Sequence, residues 1–258
     1  MTTATSNSAP LSMTTILHVY ARDIFRNQAD SDYIAARSNF KMGFRQQFLW
    51  ASQQAVEKYL KAILLFNGFS ARWEDIKTQK KEFGHCLDKL LIAVKSIPDL
   101  TFSVSQQDDQ FIQFLVDQGP NRYVGKTAYS LSDALERLDS VVWHIRRYCQ
   151  SFDISIPIEP ERKIAIRHSL VSSVLDPNLE NNPHLFKLRP GEGGELEKVL
   201  KKAHNDPARS ALVWANFYFG AKKRRHVKYT AFSSTEIPPK ERGWKNVDWD
   251  EVDKYVKP

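Results

Sequence analysis

The stretch FRQQFLWASQQAVEKYLKAILLFNG, Phe44 to Gly68, constrains the fold more than any other part of the chain. Phe44, Phe48, Ala51, Ala55, Tyr59 and Ile63 recur at three- and four-residue intervals, and Leu49, Val56, Leu60 and Leu64 widen the apolar face. That is the period of a long amphipathic helix. Glutamines in pairs, Glu57, Lys58 and Lys61 occupy much of the remaining surface, and Glu57 precedes Lys61 in the favourable orientation for an ion pair one turn on. Asn67 and Gly68 stop the helix.

Such a helix needs neighbours, and the flanking sequence supplies them. ILHVYARDIF, from Ile16 to Phe25, forms a short helix. In ADSDYIAARSNFKMG a second is capped by Asp30, Ser31 or Asp32 and ended or bent by Gly43. GHCLDKLLIAVKSIP is a third, closed by Pro98, and Asp108 to Asp117 a fourth, broken at Gly119 and Pro120. In SLSDALERLDSVVWHIRRYCQ, Ser130 with Asp133 resembles a capping box, and Leu135, Leu138, Val142, Ile145 and Cys149 make an apolar stripe. The expected fold is all-α: an antiparallel up-and-down helical bundle over residues 16–152, after a flexible lead at 1–15.

Residues 153–192, with Pro157 and Pro160, read as a linker containing a short helix between Ile164 and Leu175. Residues 193–258 read as a mostly helical, basic and aromatic extension, with helices in LEKVLKKAHND and PARSALVWANFYFG and a short acidic helix near the end. The longest apolar runs fall far short of the roughly 18 residues of a spanning helix, and MTTATSNSAPLSMTT lacks the pattern of a secretory signal. Two cysteines, Cys86 and Cys149, lack metal-ligand spacing and are expected to be reduced core residues of a cytoplasmic protein. The net charge of +7 biases the surface toward phosphate-bearing partners.

Three segments in order carry a family resemblance. QQAVEKYLKAILL, GHCLDKLL and NRYVG resemble the signature helix, the Gly-His turn into a helix and the Arg-Tyr pair of the HEPN family, named for higher eukaryotes and prokaryotes nucleotide-binding. The resemblance covers roughly Asp30 to Cys149 and leaves the last hundred residues aside. It implies a four- or five-helix bundle that dimerises and forms a cleft for nucleotide or RNA near the dimer interface. Arg122, Tyr123, Lys126, Tyr129, Lys58, Lys61 and Arg147 are the residues it implies for contact with that ligand. The family also implies a toxin-antitoxin or defence setting, with a nucleotidyltransferase-type or antitoxin partner.

Many HEPN members are metal-independent ribonucleases whose motif is Arg, four to six residues, then His. The imidazole exchanges protons with the ribose 2'-hydroxyl or the leaving oxygen, and the guanidinium stabilises the phosphorane. Arg137 and His144 have this spacing and share a helix face, about 10 Å apart along the axis. Against this, the entrance to the last helix carries Arg122 followed by YVGKTAY without a histidine, which resembles the non-nuclease branch. His85 is expected to fix its turn by bonding to backbone or capping the next helix. Lys222, Lys223, Arg224, Arg225 and Lys228 form a second basic patch beside Phe217, Tyr218, Phe219 and Tyr229. Those aromatics either stack on unpaired bases or pack as core. No nucleotide-loop, Rossmann, serine-hydrolase or metalloprotease signature is present, so neither metal nor cofactor is expected. Three function classes remain: nucleotide or RNA binding, metal-independent endoribonuclease, and a non-catalytic assembly scaffold.

Overall fold

The computed structural model describes residues 12–72, 74, 82–118, 127–129, 133–153, 158–181, 193–220 and 234–236. The fold is all-α. It opens on one helical rod: α1 (Met13–Tyr20), a π-helical turn (Ala21–Arg26) and α2 (Asn27–Met42) run on without a break. Ser12 caps the rod, its side chain accepting the Thr15 N–H at 3.2 Å, so the helix begins inside the segment expected to be a flexible lead. The caps expected at Asp30, Ser31 or Asp32 are not used, because the backbone there is already helical and Asp30 is fully buried with other partners. Gly43 ends the rod as expected, at φ +82°, a left-handed conformation in which a Cβ is costly.

The chain then turns back as α3 (Arg45–Phe66), which packs along α2, with Phe40 and Phe48 meeting edge to face at 5.0 Å. α3 is the centre of the molecule. Buried positions lie on all its sides, including Ser52, Gln53 and Glu57 on what reads as the polar face. Ser52 meets its hydrogen-bonding need within the helix, donating to the Phe48 carbonyl at 2.7 Å. Helices α4 (Leu87–Lys95), α5 (Gln106–Gln118) and α6 (Ala134–Arg146) complete the bundle around it. Asp133 stands just before α6, but its carboxylate goes to Arg137 rather than to a cap, and Ser130 lies outside the described residues.

Beyond the bundle come α7 (Pro160–Val174), α8 (Pro177–Asn181), α9 (Glu195–Leu200) and α10 (Pro207–Val213). Pro160 starts α7 at its first turn, where a missing N–H costs nothing, so the helix begins before Ile164. Val171 and Val174 of α7 and Leu196, Val199 and Leu212 of the following helices belong to the same core as α3. One short antiparallel ribbon pairs β1 (Thr127–Tyr129) with β2 (Ser234–Glu236), Thr127 opposite Glu236. Three residues are too few for alternation to be read from sequence.

Buried arginines, Arg146 and Arg37 among them, join the C-terminal helices to the bundle. Arg146 of α6 grips Asp30 with Nε at 2.7 Å and Nη2 at 2.9 Å, and reaches Glu197 of α9 at 2.7 and 2.8 Å. Asp30 also accepts the Tyr59 hydroxyl at 2.7 Å and the Leu196 N–H at 3.0 Å. A Cβ on Gly194 would overlap Arg146 Nη2, so this approach requires glycine. Arg37 of α2 pairs with Asp139 and donates to the carbonyls of Ala211, at 2.9 Å, and Trp214. Asn216 closes the joint by donating to the Tyr33 hydroxyl at 2.9 Å, next to Ala215 at φ +54°.

Candidate functional site

Arg137 and His144 both lie on α6, as expected, and each is held by a carboxylate. Arg137 is 3 % exposed, with Nε 2.8 Å from Asp133. The side chain of His144 is 15 % exposed, and its Nδ1 sits 2.7 Å from Asp108 at the start of α5, with the Ser140 hydroxyl at 3.4 Å. Burial pushes the Asp108 carboxyl up, but hydrogen bonds from His144, Ser140 and Ser105, together with the His144 charge, hold it below its ordinary value. Asp108 reads in the sequence only as a helix start. Its contact with a residue on another helix leaves no local signal.

The nucleic-acid residues divide in two. Arg122, Tyr123 and Lys126 lie outside the described residues, as does the basic run Lys222, Lys223, Arg224, Arg225 and Lys228; Tyr129 ends strand β1. The other three are described and engaged. Lys58 pairs with Asp32, and Lys61 pairs with Glu57 at 2.7 Å. Arg147 is 2 % exposed, donates to the Val174 carbonyl at 2.7 Å and lies over the Trp143 ring at 5.4 Å. The aromatics before the basic run take the core-packing alternative. Phe219 meets Trp143 at 5.6 Å and Tyr33 at 6.0 Å, and Tyr218 meets Trp143 at 5.8 Å.

A second histidine-carboxylate pair lies on the open side of α3. Buried Glu57 accepts from Lys61 Nζ on one oxygen and stands 3.0 Å from His85 Nδ1 on the other. Lys61 also donates to the Gly84 carbonyl at 3.1 Å, tying the turn to the helix. His85 is thus fixed by a carboxylate, not by backbone as expected, and its ring remains 75 % exposed. It borders a cavity of about 620 Å³ between the rod, the end of α3 and the loops after it. Cys86 beside it is exposed, so of the two cysteines only Cys149 packs in the core, where burial pushes its thiol up. A further cavity of about 500 Å³ lies between the start of α1 and α7, bordered by His18, Asp153, Lys163 and Arg167.

Among the described residues no three or more His, Cys, Asp or Glu side chains are grouped to hold a metal ion, and no helix is long and apolar enough to cross a membrane. An all-helical bundle centred on α3, with the Gly-His turn folded against it, defines a class of protein. Residues 23–117 match the family model described as HEPN domain, a family associated with nucleotides and RNA. No curated protein and no solved structure matches the chain.

Proposed function

We propose that this protein binds nucleotide or RNA as a cytoplasmic homodimer, through basic and aromatic residues before the last bundle helix: Arg122, Tyr123, Lys126 and Tyr129. The observation that carries the reading is the HEPN match over residues 23–117, in a chain of net charge +7. Lys163 and Arg167, side by side on α7 at an open cavity, add cations suited to phosphate contacts that position without reading sequence. Dimerisation is supported by an uncovered apolar stripe along the rod: Met13, Ile16, Val19, Tyr20 and Ile24 are 37 to 69 % exposed. Unbonded cysteines fit a reducing compartment. A separately encoded nucleotidyltransferase or antitoxin partner, in a defence setting, rests on family analogy.

The test is fluorescence anisotropy with labelled single-stranded RNA and with labelled ATP, across a salt series. Binding that weakens log-linearly with salt, and weakens further in an Arg122→Ala, Lys126→Ala double variant, supports the reading. If neither probe binds the folded protein, the reading fails and an assembly scaffold takes its place.

The Asp108–His144 contact favours a second reading, metal-independent RNA cleavage. A carboxylate on Nδ1 orients an imidazole for proton transfer through its other nitrogen, and Arg137 lies two turns earlier on the same helix. Cleavage of end-labelled RNA in EDTA, reduced by roughly 10²–10⁴-fold in His144→Ala and Arg137→Ala, supports it. No cleavage by the parent removes it.

A further inference from the structure

The corner where α2 turns into α3 holds large apolar side chains in water. Met42, Phe44 and Trp50 are 55 %, 53 % and 43 % exposed. A lone exposed apolar residue is ordinary, but a Met, a Phe and a Trp around one corner make a patch. Phe44, Gln47 and Trp50 follow one another at three-residue steps, so they line one side of the start of α3 and its cap. Exposure follows the same steps: Gln47 is exposed too, Phe48 and Leu49 beside it are buried, and Gln53, one step past Trp50, is 6 % exposed. The strip is therefore short, with its two aromatic residues about 9 Å apart along the helix axis. Its backbone is already ordered. The Gly43 N–H donates to the Phe40 carbonyl at 3.0 Å and the Phe44 N–H to the Asn39 carbonyl at 2.9 Å, closing the end of α2.

The charge along this part of the chain has one sign. From Tyr33 to Val56 the sequence carries Arg37, Lys41 and Arg45 and no Asp or Glu. Arg37 is committed to Asp139 in the interior. Lys41 and Arg45 are exposed on either side of Gly43, and among the described residues no carboxylate pairs with either. Lys41 Nζ lies over the Trp214 ring at 5.6 Å.

Flat rings, cations and an amide on one exposed strip suit a particular ligand. Aromatic side chains stack on any unpaired base, cations hold the phosphates, and an amide both donates to and accepts from a base edge. A duplex hides the faces of its bases and offers such rings nothing to stack on. The stride of about 9 Å exceeds the roughly 3.4 Å between stacked bases, so the two rings fit bases that are splayed apart.

We propose that the α2–α3 corner is a platform for single-stranded RNA: Phe44 and Trp50 stack on unpaired bases, Lys41 and Arg45 meet the phosphates, and Gln47 meets a base edge. This rests on the RNA reading above and deepens it, adding a surface built from residues other than Arg122 to Tyr129 and selecting single strands over duplex.

Fluorescence anisotropy of the full chain with a labelled oligoadenylate and with a labelled RNA duplex tests this. The parent binds the single strand about tenfold more tightly than the duplex. Phe44→Gln and Trp50→Gln each weaken single-strand binding about tenfold and leave duplex binding unchanged. A Lys41→Ala, Arg45→Ala double variant weakens both and lowers the slope of log affinity against log salt by about one to two. The replaced side chains are exposed, and the melting temperature of each variant checks that the fold is kept. Unchanged single-strand affinity in both aromatic variants overturns the proposal and leaves the RNA reading standing, provided the parent binds. Equal losses on single strand and duplex overturn the stacking role as well. A shift from dimer to monomer in light scattering, with RNA affinity unchanged, overturns it in favour of a protein contact. A parent that binds no RNA overturns both.

Discussion

Two clusters of the same residue types sit at opposite fates in this molecule. In the seam between bundle and C-terminal helices, Arg146, Asp30 and Glu197, with Arg37 and Asp139, are closed off and hold helices together. At the cavity, Lys61, Glu57 and His85 make a comparable arrangement that opens to solvent. Two short histidine-carboxylate contacts repeat the contrast, at 2.7 Å for the enclosed His144 and 3.0 Å for the exposed His85. Charge type therefore says little about role here. What decides is whether the second side of the charged group meets protein or water.

The contrast breaks hardest at Arg146. Replacing it by Ala leaves the buried Asp30 and the partly buried Glu197 without their shared cation, and urea unfolding is expected to show a loss of about 3–5 kcal/mol. His144→Ala strips the buried Asp108 of its one charged partner among the described residues and costs about 1–3 kcal/mol in the same measurement. His85→Ala, the matched change on the open side, stays within about 0.5 kcal/mol.

The enclosed carboxylates also set an acid limit. Burial raises Glu197 and Asp108, but Arg146 and the His144 hydrogen bond outweigh it, so both folded values lie below the ordinary 4.5 and 3.8. Their stabilisation is complete above those ordinary values and is lost as pH falls through the depressed ones. Unfolding followed from neutral to acid pH is expected to show a shallower acid fall in Glu197→Gln than in the parent. One further effect is a gain. Ala215→Gly relieves a left-handed alanine and is expected to add about 1 kcal/mol, read as a raised melting temperature.

Much of the bundle was legible because its helices carry their own period. α3 starts one residue after Phe44 and ends at Phe66, just before the expected stop at Asn67 and Gly68, and Gly43 stops the rod where expected. The rod itself was not legible as one piece. Asp30, Ser31 and Asp32 look like caps, yet Asp30 is there for Arg146 and Tyr59, partners far along the chain. The polar face of α3 misled for the same reason, since Glu57 is buried under His85 and Lys61. Of the candidate residues, Arg137, His144, His85 and Lys61 could be singled out from the sequence. The long-range partners, Asp108 for His144 and Glu57 for His85, were not, because only a one-turn spacing such as Glu57 to Lys61 or Asp133 to Arg137 leaves a local trace.

The seam has a consequence during synthesis. Asp30 finds the Leu196 N–H 166 positions later, and Arg37 finds the Ala211 carbonyl 174 positions later. At translation speeds of about 5–20 residues per second, Asp30 and Arg37 are made roughly 8–35 s before those partners. Through that interval Asp30 and Arg37 lack the C-terminal groups that complete their joints. The early helices thus form a nascent intermediate that the C-terminal helices must seal, and a ribosome stalled before Leu196 would present it to chaperones and proteases unsealed.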